Sequence, residues 1–546
     1  MIKSVKADRL NYLFSFVIVA LAGFMLYAML PGKRGIWLFV NADTLYLPSI
    51  YLDLFVHKSG ISGWHLNASP NFFPDMFIYF PMMAILKKTA LTSMVFGVFQ
   101  QLIVVVLLNK LMKAMDPDIG FKTLFLINLA FLIIPLSSIL GEGNVIPSQV
   151  LLPAYHCGHF INSLLAGFLF FTYLRTGKLH LLILLGMVTI LAVVSDRLFV
   201  MAFLAPATLL SIIKLIPRGR DLRLLLLLAV MILSTAAGYV IFNKISQSEA
   251  ITIIPTGWKM FQFDNAWTSF LNLVNHFKAV IIQYPVQRWL IFLFLLFLMG
   301  SPIYLVKHMR SFLSGKMEKS RQPSYTLVLY LFLLTFLVLF TPVINGAYLG
   351  AAHIRYNFAA LVMGALGTVY LLRLVLSKHL KQIRILHYFT TFATAGFIIL
   401  LLFVGVKEHA AMGIKRYVNY YPDTSRVLDE LQESHGLTFG VANYWQAKYT
   451  TMFSRNSVRL YSVHDRNFKP SYHVTNENWF HDGGKGTYAD PTFNYLVVDG
   501  FRHTEKLETL FGTARDTIYN EGGIVIIKVP GYKFDRATRE IYLSAP

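Results

Sequence analysis

Long apolar runs separated by short polar segments fill the first 406 residues of the chain. An α-helix needs about 20 mostly apolar residues to cross the ~30 Å hydrocarbon core of a bilayer. Eleven runs are predicted to do so, and the short fifth and sixth are expected to form a tight hairpin. The predicted spans lie near residues 10–30, 89–109, 122–140, 157–174, 179–194, 198–214, 224–242, 286–306, 325–344, 355–376 and 387–406.

The hydrophobic pattern changes after residue 406, where short β-like runs alternate with helix-like stretches. A segment of ~140 residues is a normal size for a domain. We therefore predict a membrane domain over residues 1–406 and a small α/β domain over residues 407–546. The β-like runs are 437–442, 458–463, 495–499 and 524–529, and the helix-like stretches include 424–434 and 503–511.

The composition agrees with a membrane protein. Hydrophobic residues make up 55% of the chain and charged residues 14%, with a mean hydropathy of +0.55. Soluble domains carry roughly 25% charged residues, so a soluble or disordered chain is excluded. A single cysteine, Cys157, excludes a disulfide framework and a cysteine-based metal cluster. The predicted fold class is an α-helical polytopic membrane protein with a terminal α/β domain.

The net charge of +21 indicates orientation. Lys and Arg accumulate in the short loops that stay in the cytoplasm. The N-terminus and alternate loops hold 21 basic residues and five acids, whereas residues 407–546 hold 17 basic and 16 acidic residues. No basic domain suited to nucleic acid is present. The N-terminus is therefore expected in the cytoplasm of an inner-membrane protein, and eleven spans place the terminal domain on the periplasmic or extracellular side.

Lys87 and Lys88 leave a twelve-span alternative open. If residues 72–86 crossed the membrane, this pair of lysines would be cytoplasmic. The segment contains two prolines and an acid, which makes it a poor span, and every later loop would invert against the charge bias. Eleven spans are favoured, with long outer loops over residues 31–88 and 243–285.

Acids that face outward are candidate catalytic groups, because an acid close to hydrocarbon is costly and usually functional. Asp43 precedes a predicted interfacial helix over residues 45–56, and it is either the helix N-cap or a general base for an acceptor hydroxyl. Asp53 is expected on a solvated helix face. Seven acids outside the terminal domain are predicted to face outward: Asp43, Asp53, Asp75, Glu142, Asp196, Glu249 and Asp264.

Glu142, His156 and His159 are candidate metal ligands. Carboxylate and imidazole suit Zn²⁺ or Mn²⁺, but the spacing matches no closed structural site. Hydrogen-bonded loop groups are an equal alternative. Asp196 and Arg197, at the tip of the predicted hairpin, form either a local ion pair or an acid beside a phosphate-binding arginine. A divalent cation is the one cofactor indicated.

Arg355 enters the tenth predicted span from the outer side, within His353-Ile354-Arg355-Tyr356. Its planar guanidinium is permanently charged and binds phosphate with two parallel hydrogen bonds. The alternative is a snorkelling anchor. An outward arginine opposes the positive-inside bias, which favours phosphate binding. In the terminal domain, Asn443-Tyr444-Trp445 and Asn478-Trp479 are polar-aromatic clusters suited either to carbohydrate or to core packing.

Taken together, these features resemble the GT-C superfamily of membrane glycosyltransferases. The layout covers nearly the whole chain and is similar to that of protein mannosyltransferases and aminoarabinose transferases. A lone Asp43 stands where several branches show an acidic pair, and the Trp-Trp-Asp triplet of oligosaccharyltransferases is absent. The matching features are the first helix, the outer loop opening with Asn41-Ala42-Asp43, Trp64, Asn71-Phe72-Phe73-Pro74, His353-Ile354-Arg355-Tyr356 and the terminal domain.

The resemblance implies transfer of a sugar from a polyprenyl-phosphate donor to a glycan, lipid or protein acceptor outside the cytoplasm, with inversion. It implies that Asp43 is the general base and that Arg355 and Arg197 bind the donor phosphate. Supporting or metal-binding roles fall to Glu142, His156, His159, Asp196 and His353. Contacts to the sugar or acceptor fall to Trp64, Tyr356 and Trp258.

Other function classes stay open. A glycan polymerase or ligase with a diphosphate-linked donor would rely on outer-loop Arg and His more than on Asp43. A transporter or flippase for lipid-linked sugars would place charged groups near the bilayer midplane, whereas the candidate groups here cluster at the outer ends of the spans. A catalytically inactive assembly protein is a third alternative.

Overall fold

The structure is a computed structural model, and it is mostly helical with a sheet near the C-terminus. It describes residues 36, 40–139, 145–217, 221–255, 262–380, 415–481, 491–498, 506–512 and 515–543.

Six helices in the described part of the chain are long and apolar enough to cross a membrane. They agree with six of the predicted spans and confirm the general prediction of a multi-pass membrane protein. Three further predicted spans are helical but shorter or less uniformly apolar. They are Phe121–Ile139, Leu179–Ser195 and Ala205–Leu215, the last preceded by a wider turn over Val200–Leu204. The six long helices are Thr89–Met115, Cys157–Thr176, Leu222–Ser246, Gln287–Leu313, Gln322–Ile344 and His353–Val375.

The predicted spans near 10–30 and 387–406 lie outside the described residues, so eleven spans remain a prediction. Leucines and isoleucines on the long helices are exposed, including Leu222, Leu233 and Ile303. Exposed apolar side chains of this size are costly in water and favourable against lipid. This surface is the physical signature of a helix bundle surrounded by a bilayer.

Shorter helices lie in the loops between the long ones. The predicted interfacial helix is present as the α-helix Tyr46–Tyr51, which continues into a π-helical turn over Leu52–Val56. The segment of the twelve-span alternative is also helical, as Phe72–Met76 followed by Phe77–Leu86. The other short helices are Val145–Leu151, Phe263–Asn265 and Ala266–Gln283. The last long span begins as the 3-10 helix Ala351–Asn357 and continues as the α-helix Phe358–Leu380.

The loops that contact one another fall into two groups. Helix Thr89–Met115 connects a loop of the first group to a loop of the second. The side of the membrane that each group faces remains a prediction from the charge bias. The first group includes Asn71 N–H to Ser195 O at 3.3 Å and Ala154 N–H to Asp75 Oδ1 at 3.2 Å. The second includes Arg373 to Asp116 at 3.3 Å and Lys214 Nζ to Thr326 Oγ1 at 3.4 Å.

Two loops of the first group pair as short parallel strands. Strand β1, Trp64–Leu66, belongs to the loop over residues 31–88, and strand β2, Ile251–Ile253, belongs to the loop over residues 243–285. Trp64 also forms an antiparallel bridge with Asn476 of the C-terminal region. The first loop is therefore tied to two distant parts of the chain.

Six strands form a mixed sheet in the C-terminal region, in the order β4-β3-β5-β7-β6, with β8 also paired to β7. Strand β3 is parallel to β4 and β5, and β7 is antiparallel to β5, β6 and β8. All four predicted β-like runs overlap strands of this sheet. The strands are β3 Phe439–Ala442, β4 Arg459–Ser462, β5 Phe493–Val497, β6 Asp516–Glu521, β7 Ile524–Phe534 and β8 Ile541–Leu543.

Helices accompany the sheet and confirm the α/β character of this region. Asp423–His435 corresponds to the predicted 424–434 stretch, and Lys506–Phe511 to the 503–511 stretch. Helix Tyr444–Phe453 connects β3 to β4, and its Asn443 side chain caps it by accepting from Trp445 N–H and Gln446 N–H. The proposed domain start at residue 407 lies outside the described residues.

Asp53 joins the first loop to the sheet region. It is only 1% exposed, so the expectation of a solvated helix face is wrong. Its Oδ2 accepts hydrogen bonds from Trp64 Nε1 at 3.0 Å, Trp479 Nε1 at 3.0 Å and Asn476 Nδ2 at 3.1 Å. We call these four residues the Asp53 hub. A buried carboxylate with three N–H donors holds the two parts of the chain in a fixed relation.

Candidate functional site

Asp43 is the acid at the centre of the candidate site. Asn41 Oδ1 accepts the backbone N–H groups of Asp43 at 3.0 Å and Thr44 at 3.2 Å. Asn41 therefore provides the cap-like hydrogen bonds of this turn, and the N-cap interpretation of Asp43 is wrong. The Asp43 carboxylate instead accepts from Tyr444 Oη of the C-terminal region, at 2.5 Å.

Tyr155 connects Asp43 with Arg355. Its hydroxyl is close enough to the side chains of Asn41 and Asp43, and to the charge of Arg355, to interact with all three. Burial and then the Asp43 charge raise the pKa of Tyr155 far above its usual value, so the hydroxyl keeps its proton. An acid and an arginine remote from each other in sequence thus face one tyrosine.

Arg355 has a buried donor without a partner in the described part of the chain. Its Nη2 donates to Tyr356 Oη at 2.9 Å, and its guanidinium carbon lies 5.0 Å from the centre of the Tyr356 ring. Its Nε is buried and makes no hydrogen bond within the described part of the chain. A buried, unpaired donor on a cation costs free energy unless an acceptor occupies the site. The arrangement is suited to an anionic oxygen.

His156, His159 and Asp196 converge beside Tyr356. Asp196 Oδ2 lies 3.3 Å from His156 Nδ1 and 3.5 Å from His159 Nδ1. One donor atom from each residue falls within 4.8 Å of the others, so these three could hold a metal ion. The His156 and Tyr356 ring centres are 5.5 Å apart.

The first loop positions this cluster. Asn71 N–H and Phe73 N–H bond to Ser195 O and Ser195 Oγ, next to Asp196. Ser69 Oγ donates to Asp196 Oδ1 at 3.0 Å, and Leu198 N–H donates to the same oxygen at 3.0 Å. Asp196 Oδ1 is therefore fixed by the protein, while Oδ2 faces the two histidines.

Burial shapes the protonation of this cluster. Burial opposes ionisation of Asp196, but its interactions with the His156 and His159 side chains outweigh burial and hold the pKa of Asp196 well below the usual value. Burial lowers the pKa of His156, so its imidazole is neutral at pH 7. Nearby Asp75 has its pKa raised to about 7, mainly by burial, and its Oδ2 has no hydrogen-bond partner among the described residues.

The C-terminal region adds a lysine next to Asp43. Lys448 is 5% exposed, and its Nζ makes no hydrogen bond within the part of the chain that the structure describes. The ammonium lies 5.4 Å from the centre of the Tyr444 ring. Burial lowers the pKa of Lys448 to about 7, against an opposing effect of the Asp43 charge.

A groove of about 520 Å³ opens beside Tyr444. The exposed Trp445, 47% accessible, packs edge-on against Tyr444 with ring centres 5.2 Å apart. Polar side chains beside an accessible aromatic ring suit a sugar or another hydroxyl-rich molecule. The groove is lined by Tyr444, Val463, His464, Asp465, Arg466, Asn467 and Ser471.

Three other predicted site residues already have partners, and of these His353 lies at the site, with its ring centre 5.7 Å from that of Tyr356. Arg197 donates to Ala68 O at 3.4 Å and lies over the Phe242 ring at 4.5 Å, so its guanidinium already has two partners. Trp64 is fully buried in the Asp53 hub and has no exposed face for a sugar. His353 Nδ1 is 3.2 Å from Gly350 O.

Two more predicted site residues, Glu142 and Trp258, are outside the described residues. Three side chains at Asp43 were not singled out as site residues by sequence reasoning: Tyr155, Tyr444 and Lys448. Tyr444 had a signal in the Asn443-Tyr444-Trp445 cluster. Lys448 had none, because a lysine in a short helix is normally solvated.

Comparison of the chain with protein-family models and with curated proteins finds no match. The fold and the site are therefore the observations from which function is inferred.

Proposed function

We propose that this chain is a membrane glycosyltransferase that moves a sugar from a polyprenyl-phosphate donor to an acceptor outside the cytoplasm. The acceptor is a glycan, lipid or protein of the cell envelope. The observation that carries the proposal is the convergence of Asp43 and Arg355 on Tyr155. One of these groups can accept a proton and the other can bind a phosphate.

In the proposed reaction, an acceptor hydroxyl attacks the anomeric carbon of the donor sugar. The new bond joins the acceptor oxygen to that carbon, and the bond from the carbon to the phosphate oxygen breaks with inversion. The electron pair leaves with polyprenyl phosphate, and the acceptor proton passes to the Asp43 carboxylate. Arg355 stabilises the negative charge that develops on the leaving phosphate.

The geometry around Arg355 supports this role. Its Nη2 is fixed by Tyr356, while the buried Nε has no acceptor among the described residues. A lipid phosphate arriving at this position would supply an anionic acceptor and leave its polyprenyl tail in the bilayer. Charge-assisted bonds of this kind are about twice as strong as neutral ones.

The position of the groove supports binding of the acceptor by the C-terminal region. Tyr444 contacts the groove and also donates to Asp43. An acceptor seated against Tyr444 and Trp445 would therefore lie beside the proposed base. This arrangement makes the C-terminal region part of the reaction site, in contrast to a remote binding module.

The test measures release of polyprenyl phosphate by the purified full-length protein from a panel of polyprenyl-phosphate sugars. With the correct donor and acceptor, we expect turnover in the unaltered protein and its loss in Asp43→Asn. Donor binding should be largely unchanged in that variant, because Asp43 acts on the acceptor. Removing a general base typically lowers the rate by about 10²- to 10⁴-fold.

Asp264→Asn is the matched control, because Asp264 is an exposed acid of another loop and undergoes the same chemical change. It should keep full turnover. Full activity of Asp43→Asn would refute the assignment of the base. Absence of polyprenyl-phosphate release with every donor, from protein that is folded, would refute glycosyl transfer from this donor class.

A further inference from the structure

We propose that His156, His159 and Asp196 bind a divalent metal ion with the coordination chemistry of Zn²⁺. The three residues come from the start of helix Cys157–Thr176 and from the turn after helix Leu179–Ser195. Their donor set is two imidazole nitrogens and one carboxylate oxygen, which is typical of zinc sites that keep one coordination position open.

The donor spacing fits such an ion. Zinc bonds to histidine nitrogen and carboxylate oxygen are about 2.0–2.2 Å long, so neighbouring donors of a tetrahedron lie about 3.3–3.5 Å apart. Asp196 Oδ2 lies 3.3 Å from His156 Nδ1 and 3.5 Å from His159 Nδ1. Two of the three donor pairs are therefore at tetrahedral spacing, and all three donors lie within 4.8 Å of one another.

An unpaired atom points to a missing ligand. The His159 side chain is 1% exposed, and its Nδ1 makes no hydrogen bond within the described residues although it faces Asp196. An unsatisfied buried polar atom costs about 1–3 kcal/mol. A metal ion would satisfy this nitrogen together with His156 Nδ1.

The surrounding residues resemble the outer shell of a metal site. Ser69 Oγ and Leu198 N–H both donate to Asp196 Oδ1 and so orient the other oxygen toward the histidines. Groups of this kind fix the ligands and tune their affinity. The buried carboxyl group of Asp75 is close enough to interact with the Asp196 charge.

The site is close to Arg355. Tyr356 contacts both partners, with its ring 5.5 Å from that of His156 and its hydroxyl bonded to Arg355. If the glycosyl transfer proposed above is correct, the open coordination position would take an oxygen of the donor phosphate. The metal and Arg355 would then share the negative charge. This second step rests on the proposed function, whereas metal binding does not.

The test begins with metal analysis of the full-length protein purified without chelators. We expect about one Zn²⁺ per chain, and a visible spectrum of tetrahedral Co²⁺ after exchange. His159→Gln and Asp196→Asn should lose nearly all bound metal. His276→Gln is the matched control, because His276 is a half-buried histidine bonded to Tyr348 and should keep the metal.

Two further measurements do not depend on the folding of ligand variants. Chelation should lower the melting temperature of the unaltered protein, and Zn²⁺ should restore it. Ser69→Ala, which keeps all three ligands, should weaken metal affinity about 10- to 100-fold. Metal-free protein that neither binds added Zn²⁺ nor develops a Co²⁺ spectrum would overturn the proposal. Equal metal content in His159→Gln and His276→Gln would also overturn it.

The metal proposal and the transferase proposal can fail separately. Stoichiometric metal that is lost in the ligand variants establishes the site even if no polyprenyl-phosphate sugar is consumed. Turnover that persists in protein shown to be metal-free would leave glycosyl transfer standing and overturn the metal site's role at the donor phosphate.

Discussion

Removal of the Asp53 carboxylate is expected to separate the first loop from the C-terminal sheet region. The carboxylate is 1% exposed, and three N–H donors converge on one of its oxygens. Asp53→Ala would leave the donors of Trp64, Asn476 and Trp479 buried without this acceptor. Each hydrogen bond to a charged group contributes about 1.5–3 kcal/mol.

The three bonds share one acceptor, so their contributions are not additive. We expect Asp53→Ala to lower the free energy of unfolding by about 3–5 kcal/mol, as for the breaking of other buried charged interactions. Asp53→Asn keeps an acceptor oxygen but loses the charge, and neutral hydrogen bonds are about half as strong. Its destabilisation should therefore be about half that of Asp53→Ala.

Tryptophan fluorescence during thermal unfolding in detergent is a suitable assay, because Trp64 and Trp479 are two of the seven tryptophans. For a chain of 546 residues, a loss of 3–5 kcal/mol should lower the melting temperature by about 3–5 °C. Asp264→Ala, at an exposed acid, is the control and should change little. If Asp53→Ala and Asp264→Ala have the same melting temperature, the Asp53 hub does not hold the two regions together.

Three further substitutions test other parts of the structure. Arg355→Lys keeps the charge but loses the planar fork, so affinity for a polyprenyl-phosphate sugar should fall about tenfold in a binding titration; unchanged affinity would exclude the phosphate role. Gly158→Ala would place a Cβ in collision with Asp75 Oδ2, so the free energy of unfolding should fall by about 1–3 kcal/mol. Adding Asp75→Ala should restore part of that loss. Equal melting temperatures for Gly158→Ala and the unaltered protein would contradict this packing. The pKa of Lys448 is lowered to about 7, so above that pH the unfolded chain binds a proton that the folded chain lacks. Stability should therefore rise from about pH 7 to about pH 10, and this rise should shrink in Lys448→Met; equal slopes would refute burial of the neutral amine.

Hydropathy along the chain identified the membrane class, because the requirement for an apolar helix of bilayer length is local. The six long helices and four of the six strands of the C-terminal sheet lie where the residue pattern predicts them, whereas strands β6 and β8 were not predicted. The shortlist of outward acids also contained four acids that form hydrogen bonds with other segments of the chain in the structure. Asp43, Asp53, Asp75 and Asp196 all came from it.

The residues that surround each acid could not be predicted from the sequence next to it. Asp53 and Asp43 lie ten residues apart on one short segment, yet Asp53 is enclosed by three donors and Asp43 faces the candidate site. Pattern reasoning gave Asp53 a solvated face because the helix containing it has polar and apolar sides. Its burial depends on the C-terminal region, which supplies two of its three donors.

The partners of Asp43 illustrate the same limit over a greater distance. Tyr444 is 401 positions away in the chain, and its hydroxyl still bonds to Asp43. The sequence alone determined which elements form and which residues have the chemistry for a site. Only the tertiary structure decided which of those residues meet, because loops of any length can bring remote side chains together and helix or strand periodicity carries no record of that contact.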